Sequence, residues 1–281
     1  MTSRLVPAAA LFCGALLSAR ATHAQERWVD DEAVQPRMRG RVGAGIGGAV
    51  LTYAGPSDST LGLFGTGLNA EGAVGLGRGF EIGVRFGLRT DDPGRGLRAD
   101  EVARGFETAT FGTGLSTLAN PELRLRWRAV RWRWGEAGID ERVVVPTGSD
   151  PNVTEILGVW ASSHAPRFAR ADVGLDGVLS WQSLNTGYVL MPAFGLPIRL
   201  WVNVTSGLFL GLVTTTRYYA ATRYTTSYLQ VTTGLVGGYR IRSCDAMVGT
   251  YLIDIVNSGT ERSGLGLGLS CRFGKRDKPN W

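Results

Sequence analysis

Phe80-Glu81-Ile82-Gly83-Val84-Arg85-Phe86-Gly87-Leu88-Arg89 alternates apolar residues with charged ones or glycine from end to end. Successive side chains of an extended chain point to opposite sides. Phe80, Ile82, Val84, Phe86 and Leu88 therefore share one face, and Glu81, Gly83, Arg85, Gly87 and Arg89 share the other. The period is two; a helical period would scatter both sets around a cylinder. This segment is a strand with one greasy face and one face of charge and glycine.

The same scheme recurs along the chain. Leu123-Arg124-Leu125-Arg126-Trp127-Arg128 repeats it with arginine at every polar position. Leu265, Leu267, Leu269, Cys271 and Phe273 alternate with Gly264, Gly266, Gly268, Ser270 and Arg272, and Leu229 to Arg242 follows suit. Read this way, the chain predicts strands over 39–53, 61–76, 80–89, 119–130, 136–146, 170–181, 187–194, 197–204, 207–216, 226–242, 246–256 and 263–273. Splitting 187–204 at Gly195-Leu196-Pro197 makes the number even, and an even number brings both ends of a barrel to one side. Tight connections fall at Gly77-Arg78-Gly79, Arg131–Gly135, Ser183–Thr186, Thr205-Ser206 and Ser243-Cys244-Asp245. The longest loops are expected at 90–118 and 147–169, and short turns on one rim with long loops on the other are the habit of outer-membrane barrels.

The chain of 281 residues carries a formal charge of +6, which raises the question of nucleic acid. Its arginines stand singly inside apolar stretches rather than in a solvated run, so no nucleic-acid partner is expected. Residues 1–24 read as a secretory signal: Arg4 precedes an apolar run from Leu5 to Leu17, and Thr22-His23-Ala24 offers a small-residue cleavage site. Residues 25–38 form a lead expected in the periplasm, 39–273 the sheet, and 274–281 a basic tail. After cleavage two cysteines are left, Cys244 and Cys271, an exported pair and so a disulfide candidate. A last hairpin turning near residue 260 would put Cys271 opposite Gly249. Cys244 would then lie about five residues away, roughly 16 Å along a strand. A disulfide needs Cα atoms within about 7 Å, so free thiols are expected.

Alternation alone also fits a soluble sandwich, which hides its apolar faces between two sheets. Three features favour a closed sheet in lipid: the export signal, glycine concentrated on the polar faces, and aromatics near predicted strand ends. Those aromatics are Trp127, Trp132, Trp134, Trp181, Tyr218, Tyr219, Tyr224, Tyr239 and Phe273, placed as interfacial girdles would be. The expected fold is all-β, a transmembrane antiparallel up-and-down barrel of about twelve strands in the bacterial outer membrane. The stretch Asn120-Pro121-Glu122-Leu123-Arg124-Leu125-Arg126-Trp127-Arg128, a tight turn, and Val143-Val144-Val145-Pro146-Thr147-Gly148-Ser149 resembles a hairpin of such barrels. It is similar to the transporter-like family associated with phenol-degradation operons, in which the ascending strand ends in a Pro-Thr-Gly loop. The last strand resembles the barrel-assembly signal at Gly268, Cys271 and Phe273, which implies the assembly machinery and outer-membrane lipid as partners. It departs from that signal in two ways: Gly274–Trp281 follow it, and Cys271 replaces a bulkier residue.

With the greasy faces outward, the lumen receives Arg39, Arg41, Arg85, Arg124, Arg126, Arg128, Arg142, Arg199, Arg240, Arg242 and Arg272. Against them stand Glu81, Asp140, Asp172, Asp176 and Asp254. A cationic lining of this kind would bias a pore toward anions or acidic solutes, and the expected role is a channel or transporter for small anionic or hydrophobic solutes. The same residues would equally build a salt-bridged core in a closed, purely structural barrel. A barrel-embedded hydrolase is the third class, but it needs an activated nucleophile beside a base. His23 leaves with the signal, and His164 falls in a predicted external loop. No catalytic residue, metal or cofactor is therefore expected. Gly43-Ala44-Gly45-Ile46-Gly47-Gly48 lacks the Lys-Ser/Thr of a phosphate loop and reads as a curved strand.

Overall fold

The alternating segments pair into one antiparallel sheet that closes on itself. The computed structural model describes residues 32–54, 59–89, 118–145, 153–165, 168–184, 187–222, 226–252, 255–258 and 262–274. The strands are β1 (Gly40–Ala54), β2 (Ser59–Gly77), β3 (Phe80–Arg89), β4 (Leu118–Trp132), β5 (Gly135–Val144) and β6 (Val153–Ala165). They continue as β7 (Ala169–Leu184), β8 (Gly187–Asn203), β9 (Leu208–Tyr219), β10 (Tyr228–Ile241), β11 (Cys244–Leu252) and β12 (Arg262–Phe273). Each pairs with its neighbours in sequence, and β1 closes the barrel against β12, with Ile46 opposite Leu267.

Twelve strands are present, but two of the expected ones are placed differently. Residues 153–165, expected within a loop, form β6; residues 187–203, expected as two strands, form β8 alone. The first departure comes from broken alternation. Ile156 is fully buried inside β6 and Trp160 half-buried beside it, while Leu157 and Val159 are exposed outside, so greasy residues occupy both faces. The second comes from Pro197. The β7–β8 ladder runs from Val173↔Ile198 to Asp176↔Gly195 and skips the residues between, while Pro197 stays paired with Thr215 of β9. A missing N–H costs little where the ladder already opens.

The two changes cancel in the strand count and move connections between rims. The short connections, at 77–80, 132–135, 165–169, 203–208 and 241–244, share one rim with both ends of the barrel. The connection at 184–187, expected among the short turns, lies on the opposite rim. His164, expected in an external loop, lies in β6 opposite Arg170, at the short-turn end.

The surface is inverted relative to a soluble protein. Outward residues are predominantly apolar and exposed, Ile82, Leu125, Leu157, Leu175, Leu212, Leu235 (62% exposed) and Leu267 among them, with Glu141 of β5 set between Leu125 and Leu157. Soluble monomers rarely expose apolar patches beyond a few hundred Å², and a sandwich would have buried these side chains. Aromatics edge the band. Phe80, Trp127, Trp132, Trp134 and Phe273 stand out near the short-turn rim, Phe194 and Tyr218 near the other. Tyr219, expected in a girdle, faces inward and is buried. Tyr224 lies outside the described residues.

Residues 32–37 fold into the barrel at the short-turn end. Val34 is fully buried there. The backbone N–H of Ala33 donates to Glu136, and that of Gln35 to Glu81 Oε2 at 2.7 Å. Gly75 makes room for the segment: a Cβ there would meet the Pro36 carbonyl oxygen at 2.0 Å.

The cysteines overturn the expected free thiols. Cys244 pairs directly with Cys271 across β11 and β12, and the two form a disulfide with Cα atoms 4.0 Å apart. The last hairpin turns earlier than residue 260, which slides β11 by five residues relative to the expected register.

Candidate functional site

The lumen is built from the polar face of each strand. On β3 and β4 that face carries Glu81, Arg85, Glu122, Arg124, Arg126 and Arg128. Arg85 Nη2 donates to Glu71 Oε2 of β2 at 2.9 Å, and its Nη1 lies 3.7 Å from Glu122. Arg41 of β1 reaches the same Glu71 at 3.7 Å. Asp140 of β5 gathers three guanidiniums. Arg124 donates through Nε and Nη2 at 2.8 and 2.9 Å, Arg126 through Nη2 at 3.3 Å, and Arg142 approaches to 3.4 Å. Arg142 also donates to Asp176 of β7 at 2.8 Å. Arginine's planar fork suits such sharing, because its five donors can serve several acceptors.

A second cluster ties β10, β11 and β12 together. Arg240, fully buried, donates to both Asp245 oxygens at 2.7 and 3.1 Å. Arg272 of β12 donates to the same carboxylate at 3.0 and 3.3 Å. Arg170 pairs with Asp172 at 2.7 Å. Near the short-turn mouth Arg128 holds Glu32 and Glu136 at 2.8 and 3.1 Å, and Arg126 Nη1 donates to the Ala33 carbonyl at 3.0 Å.

Between these clusters lies a cavity of about 230 Å³. Arg41, Arg85, Arg124, Arg126, Arg170, Arg199 and Arg272 line it together with Glu71, Asp172 and Asp245 and with the apolar Trp201, Val213, Val236, Met247 and Tyr251. Val213 of β9 and Val236 of β10 lie across the barrel from Arg85, Arg124 and Arg126 of β3 and β4, while Arg199 and Trp201 share β8. Inward glycines give the large rings room. Trp201 lies over Gly211, and Tyr251 over Gly234, where an added Cβ would approach ring carbons to 2.2 Å. Toward the long-loop rim Ile156, Val178, Ala193 and Tyr219 pack into an apolar cluster. Tyr219 stacks on Tyr228 with centroids 4.2 Å apart.

Of the expected lumenal residues, Glu81, Arg85, Arg124, Arg126, Arg128, Arg142, Arg240, Asp140, Asp172 and Asp176 face inward, and Arg41, Arg199 and Arg272 line the cavity. Arg39 precedes β1 in the short-turn mouth. Arg242 is a correction. β10 ends at Ile241, so the alternation stops one residue short and Arg242 is exposed in the turn with φ 56°. Asp254 lies outside the described residues.

Sequence reading missed Glu71, Glu122, Glu136, Arg170, Arg217 and Asp245. Glu122 and Arg170 share the faces of Arg124 and Asp172, so parity alone would have found them. Asp245 falls in the turn expected at Ser243-Cys244-Asp245, and Arg217 one residue beyond the strand expected over 207–216, whereas the structure places both in strands. Gly268, Cys271 and Phe273 fall on β12, with Cys271 and Phe273 outward and Gly268 inward.

Solved structures of outer-membrane proteins share this architecture at low identity. NanC porin is 9% identical with a TM-score of 0.55, over 81% of this chain and 98% of its own. KdgM porin, solved in complex with disordered oligogalacturonate, is 7% identical with a TM-score of 0.53, over 83% and 99%. An outer membrane channel from Pseudomonas putida F1 is 12% identical with a TM-score of 0.55, over 87% and 98%. At these identities the likeness is one of fold. No protein-family model matches the chain, and no curated protein matches it.

Proposed function

We propose that this chain is an outer-membrane channel passing small organic anions that carry an apolar body. The observation that carries the reading is the mixed lining of the cavity: guanidiniums of β1, β3, β4, β7, β8 and β12 stand with the apolar Trp201, Val213, Val236 and Tyr251. An anionic group would find arginine and an apolar ring would find these side chains within one cavity, and rings of arginine bias a pore toward anions. The sharing of Asp140 among three arginines and of Asp245 between two supports it, because shared carboxylates leave the lining net positive. The exposed apolar band supports a place in lipid, since only closed sheets and helices satisfy every backbone group there. The fold shared with porins and an outer-membrane channel supports the same reading. The resemblance of the Asn120–Ser149 hairpin to the barrel family associated with phenol-degradation operons agrees with an aromatic body.

The test is swelling of liposomes that hold the refolded protein, in isotonic sodium benzoate, arabinose or arginine hydrochloride. Benzoate is expected to enter fastest, and Arg41→Gln with Arg199→Gln to abolish its lead over arabinose. Equal rates for all three solutes would sink the anionic reading. A purely structural barrel is the second reading, favoured by the density of lumenal ion pairs and by residues 32–37 lying within the mouth. It predicts no swelling in any of the solutes.

A further inference from the structure

The exposed charge of the short connections has no part in the lumen. Arg78 and Arg133 stand exposed in the turns after β2 and β4, Arg242 in the turn after β10, and Arg37 beside them ahead of β1. Following the strand order from β5 through β1 and β12 to β10, these positions form one arc of the short-turn rim. Among the described residues, the acidic groups of that arc are turned inward and already engaged: Glu32 and Glu136 by Arg128, Asp245 by Arg240 and Arg272. Of the two other short connections, 165–169 includes Arg167 and Val204–Gly207 carries no charge.

Two details mark the arc as a membrane-facing surface. Arg78 and Arg242 occupy positive-φ positions, at 51° and 56°, where glycine or asparagine is the usual choice. Trp132 and Trp134 project from the β4–β5 turn, with the Arg133 guanidinium 4.5 Å from the Trp134 ring centroid. Met38, beside Arg37, is 75% exposed. Tryptophan prefers the headgroup level, and arginine beside it reaches phosphate.

We infer that the short-turn rim docks onto a leaflet rich in anionic phospholipid, its arginines on the headgroup phosphates and its tryptophans just below them. The inference rests on the membrane reading of the barrel. Basic residues at an anionic surface gain attraction that salt screens within a Debye length.

The experiment compares wild type with Arg78→Asn/Arg133→Gln/Arg242→Asn, asparagine being chosen where φ is positive. Each is refolded into phosphatidylcholine vesicles with and without 30 mol% phosphatidylglycerol, and the midpoint of heat-modifiable gel migration is read. Phosphatidylglycerol is expected to raise the wild-type midpoint by several degrees at low salt, and 0.5 M NaCl to remove the rise. The variant is expected to show less than half of it. A companion variant with lysine at the three positions should keep it. Native mass spectrometry of wild type should show phosphatidylglycerol retained over phosphatidylcholine, a reading that does not depend on the variants folding. Equal retention, or an undiminished rise in the neutral variant, would overturn the inference. So would Arg-dependent sedimentation with purified peptidoglycan and no lipid effect, which would assign the rim to the cell wall. Failure of wild type to enter either vesicle would overturn the membrane reading as well, whereas entry without lipid preference overturns this inference alone.

Discussion

Asp245 joins the last three strands through one carboxylate. One carboxylate answers two guanidiniums from the neighbouring strands β10 and β12, and Arg240 has no exposed surface at all. A buried pair adds little net stability, but removing one partner strands the other charge, at about 3–5 kcal/mol. Asp245→Ala is therefore expected to lower unfolding stability in detergent by that amount, measured by guanidinium titration. A loss below about 0.5 kcal/mol, the usual effect of a surface change, would mean the cluster is solvated. At this scale parity was the legible signal. Arg124, Arg126 and Asp140 declared their face by alternation, whereas Asp245 did not, because the turn before β11 was drawn too long. Which carboxylate each arginine meets depends on register between strands, and local sequence does not encode that.

The final hairpin shows what register decides. Cys244 lies opposite Cys271 on the outward face, while Asp245 and Arg272, one residue along, meet on the inward face. A covalent and an ionic tie thus hold the same level of β11 and β12 from its two sides. The bond spans 27 residues, for which the loop-entropy account gives about 3.5 kcal/mol. Reduction, or Cys244→Ser with Cys271→Ser, is expected to lower stability by up to that figure. Thiol labelling of the unfolded, unreduced protein should find no reactive cysteine, and two reactive thiols would refute the pairing. The strand faces can be tested likewise. Arginine at Ile82 or Leu267 meets the apolar band and is expected to cost roughly 2–4 kcal/mol and block assembly. Arginine at Gly266, which lines the cavity, should be milder; equal tolerance in refolding yield would show the faces reversed. Elements with clean alternation, such as β3 and β12, were legible from sequence within a residue or two. β6 was not, because Ile156 and Trp160 serve the lumen and break the pattern that identifies a strand.

For the whole molecule, the closed sheet followed from alternation and strand number, even though the number was reached through two compensating errors. What alternation could not convey is the filling of the lumen. Residues 32–37 enter the short-turn mouth because Glu81, Glu136, Arg126 and Arg128 bind their backbone and Glu32, and Gly75 leaves space for Pro36. Each of those groups lies far from the segment in sequence, so only the closed barrel brings them together. The cavity that results is lined by arginines and apolar side chains together, and this mixed lining is the centre of the functional account.

The most direct test is the reversal potential of single channels in a planar bilayer under a KCl gradient. Wild type is expected to give anion-selective steps. Gly75→Ala, whose Cβ would collide with the Pro36 carbonyl, should enlarge them by expelling residues 32–37. Arg41→Gln with Arg199→Gln should move the reversal potential toward zero. Cation-selective steps, or silence at all voltages from both wild type and Gly75→Ala, would contradict the account.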